Sequence, residues 1–251
     1  MKNLGSILLA TMILAGCVST SGKADRERAG LHMQIGTGFL ANGNYPQAMQ
    51  ELLKAEQLDP TNPLILNNLG LAFYVRGKLK QAEEKFRAAI KSDSAFSDAK
   101  NNLGRVLIES GRPNEALKIL HAAEGDLTYA YSEKTFSNLG MAYFATGNYK
   151  KADDYLSRSL EIRRQSCTTA DYYGRTLLEL KRLVQAATVL DQAIEYCRQE
   201  KFEEPIYFSA MSYFSLGEKE KTRARLEELL KDYPKSKYVA KAKGMLELLD
   251  Q

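Results

Sequence analysis

One small residue returns six times along this chain and restricts the fold more than anything else in it. The positions are Gly36, Gly70, Gly104, Gly140, Gly174 and Ala210, at intervals of 34, 34, 36, 34 and 36 residues. Three residues after each stands a large side chain: Phe39, Phe73, Leu107, Tyr143, Leu177, Tyr213. Seven after stands a turn residue: Gly43, Gly77, Gly111, Gly147, Lys181, Gly217. Twelve after comes a small residue (Ala48, Ala82, Ala116, Ala152, Ala186, Thr222), and sixteen after an apolar one (Leu52, Phe86, Leu120, Leu156, Leu190, Leu226). The first and last units close on Pro60 and Pro234. A unit of this length holds two helices and a tight turn. Its small residues let the helices approach, its large ones fill the gap beside them, and glycine supplies a left-handed helix end. A single unit cannot bury its apolar face alone, so such units stack.

The pattern resembles the tetratricopeptide repeat over residues 29–236, in units 29–62, 63–96, 97–130, 133–166, 167–200 and 203–236. The resemblance implies an all-α, right-handed superhelical solenoid of six repeats. The segment 237–251 then serves as a capping helix, with Val239, Met245 and Leu246 covering the last open face.

Ahead of the repeats, "LLATMILAGC" ends at Cys17 behind the single cation Lys2. The apolar run is too short for the ~20 residues that span a bilayer. Its basic start, short apolar middle and small residues at the end describe a secretory signal. Leu14-Ala15-Gly16-Cys17 reads as a lipobox, in which cleavage before Cys17 leaves a cysteine that carries lipid. Two or three acyl chains, at ~0.8 kcal/mol per buried methylene, anchor durably. Residue 18 is Val rather than the Asp that retains many such lipoproteins at the inner membrane. The expected destination is therefore the outer membrane, facing the periplasm. Residues 1–16 are the expected signal peptide and 17–28, small and charged, the expected flexible tether.

A tetratricopeptide stack presents a concave face built from the first helix of each unit. Its positions lie three before, one after, and four or five after the small residue. They give Met33, Thr37 and Leu40 in the first unit, and Asn67, Leu71, Tyr74 and Val75 in the second. The third contributes Asn101, Arg105, Ile108 and Glu109, the fourth Ser137, Met141 and Phe144. The N-terminal groove is thus apolar with amides set into it, a composition suited to a peptide. The alternative is that Leu71 and Tyr74 pack against the next unit. The repeated asparagines in "LNNLG" and "KNNLG" are either a ladder for peptide backbone or solvated helix surface. Capture of a terminal carboxylate is excluded, because Met33, Thr37 and Asp98 stand where its cations would be.

With Cys17 assigned to lipid, Cys167 and Cys197 remain. In an oxidising periplasm an even pair invites a bridge. Cys167 opens the first helix of unit five and Cys197 ends its second, so the outer ends of two antiparallel helices meet. Two unpaired thiols are the other reading. Nothing points to an enzyme. His32 and His121 sit in different units, no His/Cys pair has metal-ligand spacing, and no Gly-rich phosphate loop follows a strand. No cofactor, metal or small-molecule substrate is expected. The net charge of +4, with both signs interspersed, is no nucleic-acid footprint.

Six repeats behind a lipobox resemble the type IV pilus pilotin family, the PilF/PilW/Tgl-like proteins. The resemblance covers the whole chain. It rests on "LHMQIGTGFLANGNYPQAMQELLKAEQLDP" directly after the tether, on the two-residue expansion in "DLTYAYSEKTFSNLGMAYFATGNYKKA", and on "LLKDYPKSKYVAKAK" at the close. The chain departs from the family at Tyr129-Ala130, where Tyr-Pro is common. The resemblance implies a non-enzymatic outer-membrane lipoprotein that binds the secretin subunit of the type IV pilus and promotes its localisation and multimerisation. A periplasmic scaffold for cell-wall hydrolases, or a subunit of outer-membrane protein assembly, is the alternative role.

Overall fold

The computed structural model describes residues 4–250, with side chains from residue 22 onward. The signal peptide and the lipidation site Cys17 lie outside the described side chains. The described residues form thirteen α-helices and one short 3-10 turn, with no strand among them. The helices are α1 (Leu4–Ala41), α2 (Tyr45–Leu58), α3 (Pro63–Val75), α4 (Leu79–Ser92), α5 (Ser97–Glu109), α6 (Pro113–Glu124) and α7 (Ser132–Ala145). They continue as α8 (Tyr149–Ile162), α9 (Cys167–Glu179), α10 (Leu183–Cys197), α11 (Glu204–Ser215), α12 (Lys219–Asp232) and α13 (Val239–Leu249). The chain divides into two compact units, residues 1–106 and 107–251.

The periodic residues do what their sizes dictate. A Cβ on Gly36 would stand 2.7 Å from Leu52 Cγ, and one on Gly70, Gly140 or Gly174 would overlap Phe86, Leu156 or Leu190. The small residue of each of these repeats therefore seats the apolar residue sixteen positions later, on the antiparallel partner helix. The turns are equally regular. Gly77 N–H donates to Tyr74 O at 2.8 Å and Lys78 N–H to Phe73 O at 2.9 Å, closing α3 with Gly77 at φ +69°. In the fifth repeat Lys181 makes the same turn at φ +61°, with the same pair of bonds to Leu178 O and Leu177 O.

In the first unit, Leu52, Ile65 and Leu69 form a buried cluster with Met33 and Leu40 packed against it. Residues 22–28 depart from the expected flexible tether, since α1 runs through them. Local chemistry explains this. Arg28 pairs with Asp25 at 2.7 Å one turn away, Arg26 Nε donates to Gly22 O, and Ala29 is fully buried and draws the helix onto the core.

In the second unit, Cys167 at the start of α9 and Cys197 at the end of α10 are joined by a disulfide, their Cα atoms 4.9 Å apart. The C-terminal core holds Ile206, Ala210, Leu226 and Leu229, and α13 lies over it. Tyr238, Ala242 and Leu249 are buried there, with Met245 and Leu246 packed alongside. The Tyr238 ring stacks on Tyr207 with centroids 4.3 Å apart, so an aromatic pair anchors the start of the final helix.

Candidate functional site

The face of α1, α3 and the first turns of α5 carries most of the expected groove, but its amides are spent internally. Asn67 and Asn101 are only 6% and 2% exposed. Asn102 Nδ2 donates to Asn67 Oδ1 at 2.9 Å, and Asn101 Nδ2 donates to Ser97 O at 3.1 Å. Asn68 Nδ2 donates to Thr37 Oγ1 at 3.1 Å, which in turn donates to Met33 O at 2.8 Å. The reading of Asn67 and Asn101 as peptide-facing amides is therefore corrected. The second asparagine of each pair reaches back to the preceding repeat, and a buried amide needs such a partner. Met33 and Leu40 are half-buried on the core. Leu71, Tyr74 and Arg105 are half-buried, while Thr37 and Val75 are exposed. Ile108, half-buried, belongs to the second unit.

A cavity lies in the second unit instead. The register positions of Asn67 and Leu71 are occupied in the fifth repeat by Asp171 and Arg175. Arg175 Nη1 donates to Asp171 Oδ2 at 3.1 Å. Its guanidinium carbon lies 5.0, 4.8 and 4.5 Å from the ring centres of Phe144, Tyr172 and Phe208. Asp171 is fully buried, and burial pushes its carboxyl up to about 7, a rise that Arg175 only partly offsets. Neither Asp171 Oδ1 nor Arg175 Nε has a hydrogen-bond partner. Phe144, Arg175, Leu178, Phe208, Met211 and Ser215, together with Glu179, Lys181 and Leu183, line a cavity of about 180 Å³ that opens to solvent. Of the three fourth-repeat positions, only Phe144 reaches this cavity. Met141 is fully buried, and the Ser137 hydroxyl is bonded to the Thr169 hydroxyl at 2.9 Å. The same register, followed one repeat further along the sequence, leads to Asp171 and Arg175.

The histidines are structural ties. His32 Nδ1 is 2.6 Å from Glu51 Oε2, and Lys54 donates to the other oxygen of Glu51 at 2.8 Å. Those bonds, Lys54 first and then His32, hold the Glu51 carboxyl below the usual range. His121 joins Glu124 and the Tyr143 hydroxyl, each at 2.9 Å. Tyr155 stacks on Tyr143 and donates to Glu124 at 3.3 Å. Burial, and then the Glu124 charge, push the Tyr155 hydroxyl up to about 12. Among the described residues no cluster of His, Cys, Asp and Glu could hold a metal ion, and no helix is long and apolar enough to cross a membrane.

Comparison with known proteins agrees with this architecture. Tetratricopeptide-repeat patterns match residues 36–75, 76–126, 131–199 and 209–236. The type IV pilus assembly protein PilF of Pseudomonas aeruginosa is 31% identical over 193 residues, covering 74% of this chain and 76% of PilF. The solved structure of P. aeruginosa PilF superposes with a TM-score of 0.75 at 25% identity, over 88% of this chain and 99% of that one. The crystal structure of PilW, a type IV pilus biogenesis factor, has the same fold, with a TM-score of 0.75 at 20% identity over 85% of this chain and 97% of its own. The periodic glycines, the helix pairs they seat and the identity to PilF along most of both chains place this protein in the PilF family of tetratricopeptide-repeat proteins.

Proposed function

We propose that this protein acts in type IV pilus biogenesis as a non-enzymatic, protein-binding lipoprotein. It is held on the periplasmic side of the outer membrane by lipid on Cys17. There it binds the secretin subunit and promotes its localisation and multimerisation. The observation that carries this reading is the 31% identity to a type IV pilus assembly protein over three-quarters of each chain. Within the first unit the contact falls on Leu71, Tyr74 and the exposed Val75, the apolar part of α3 left once the asparagines are paired inward. An aromatic anchor such as Tyr74 carries ~2 kcal/mol or more of binding energy.

Deleting the gene should abolish heat-resistant secretin multimers in the outer-membrane fraction. Cys17→Ala should displace the protein from that fraction and misplace the secretin. Tyr74→Ala combined with Leu71→Ser should weaken multimer formation while leaving the melting temperature nearly unchanged. Undiminished multimers in the deletion strain would remove the secretin reading. Normal multimers with a folded double variant would remove only the assignment to α3.

A further inference from the structure

The cavity of repeats four to six has a chemistry of its own. A guanidinium offers five N–H donors, and Arg175 uses one of them, to Asp171. Its Nε is buried without an acceptor, an uncommon state for a buried polar group. The rings of Phe144, Tyr172 and Phe208 surround the guanidinium within 4.5–5.0 Å and fix its plane, so an incoming acceptor meets an oriented fork. Asp171 is bonded to it, but burial raises that carboxyl to about 7, so at neutral pH it cancels only part of the charge. Lys181 adds a second cation to the lining, against the carboxylate of Glu179. Beside Arg175 the wall is apolar, with Phe208 and Met211 only partly covered by the core.

We propose that this cavity is a docking site for an extended segment of a partner protein, in which Arg175 pairs with an Asp or Glu side chain and the wall of Phe144, Phe208 and Met211 takes a neighbouring apolar side chain. The site stands on the geometry of residues 107–251 and does not rest on the pilus reading or on the α3 surface. Along α9 and α11 the lining beside Arg175 is apolar, through Leu178, Phe208 and Met211, so a carboxylate there is taken together with an apolar neighbour.

A random peptide library displayed on phage, fused so that no free carboxy terminus is offered, provides the probe. Panned on the folded protein, it should enrich sequences with Asp or Glu beside an aliphatic or aromatic residue. The enriched peptides, synthesised with amidated ends, are then titrated by fluorescence anisotropy. Replacing the acidic residue by its amide in the peptide, or Arg175→Gln in the protein, should each weaken binding by about tenfold or more, the loss of one charge-assisted pair. The two changes together should add little further loss. Ser215→Glu, an exposed change on the cavity wall, should weaken the same peptides by repulsion without altering the melting temperature. It serves as the deciding variant if Arg175→Gln proves unstable. Enrichment of sequences lacking acidic residues would overturn the proposal, as would no enrichment at all. So would affinities unmoved by Ser215→Glu and Arg175→Gln.

Discussion

The Phe86 ring on α4 occupies the space that a side chain on Gly70 of α3 would need. The collision of an added methyl is with a fully buried ring that has no room to retreat. Gly70→Ala should therefore destabilise by ~1–3 kcal/mol, even though alanine is the better helix former. Phe86→Leu alone leaves a cavity, but combined with Gly70→Ala it should cost less than the two single changes added together. Urea melts of the four proteins measure this coupling, and strict additivity would show that the two residues do not press on each other.

The Cys167–Cys197 bridge closes a loop of 30 residues between the outer ends of α9 and α10. In the chain-entropy account a loop of that size stabilises by ~3–4 kcal/mol. Replacing both cysteines by serine should lower unfolding free energy by that order, and reductant should reproduce the loss in the wild type. Thiol labelling of denatured, unreduced Cys17→Ser protein should find no free thiol. Two labelled cysteines would rule the bridge out in the native protein.

Asp171 makes stability depend on pH in an unusual direction. Its carboxyl sits at about 7 in the folded chain against an ordinary 3.8. The folded state thus holds a proton that the unfolded state has released, and its contribution falls as pH rises from about 4 to 7. Below that window both states are protonated and the contribution is full. Asp171→Asn removes the titration while keeping an acceptor for Arg175. The stability of this variant relative to wild type should climb between about pH 4 and pH 7 and then level off. Chemical denaturation across that range reads the difference directly, and a constant offset would contradict the burial argument.

Lys181 holds the left-handed turn conformation that glycine holds in the corresponding turns after α1, α3, α5, α7 and α11. A side chain there costs ~1 kcal/mol. Lys181→Gly should stabilise the protein by somewhat less than that, since glycine also gains freedom in the unfolded chain. A rise of a few degrees in melting temperature is the expected reading, and a fall would mean that the lysine makes a compensating contact.

Much of this was readable from residue order. The recurrence of small, large, turn and small residues at constant offsets specifies paired helices, because a glycine facing a leucine or phenylalanine sixteen residues later only makes sense when two helices lie close and antiparallel. The ends of α9 and α10 could be located well enough to bring Cys167 and Cys197 near each other. Periodicity also picked out Leu71 and Tyr74 on one face of α3 and, separately, Phe144 at the corresponding register of α7.

Which of those side chains are spent inside was decided by tertiary contact. Asn67 and Asn101 occupy the register of groove residues, yet both are buried, and Asn67 accepts from Asn102 of the next repeat. Residues 22–28, polar enough to read as a tether, are helical because Ala29 and the helix beyond it are drawn onto a core built by α2 and α3. The Arg175 site needs three rings from three helices, Phe144, Tyr172 and Phe208, around one guanidinium. Phe144 reads from its register as a groove position, but nothing in residue order brings Tyr172 and Phe208 to it, since a repeat specifies which residues face inward within its own helix pair, whereas hydrogen bonding and ring packing between repeats depend on which side chains the neighbours bring to the same point.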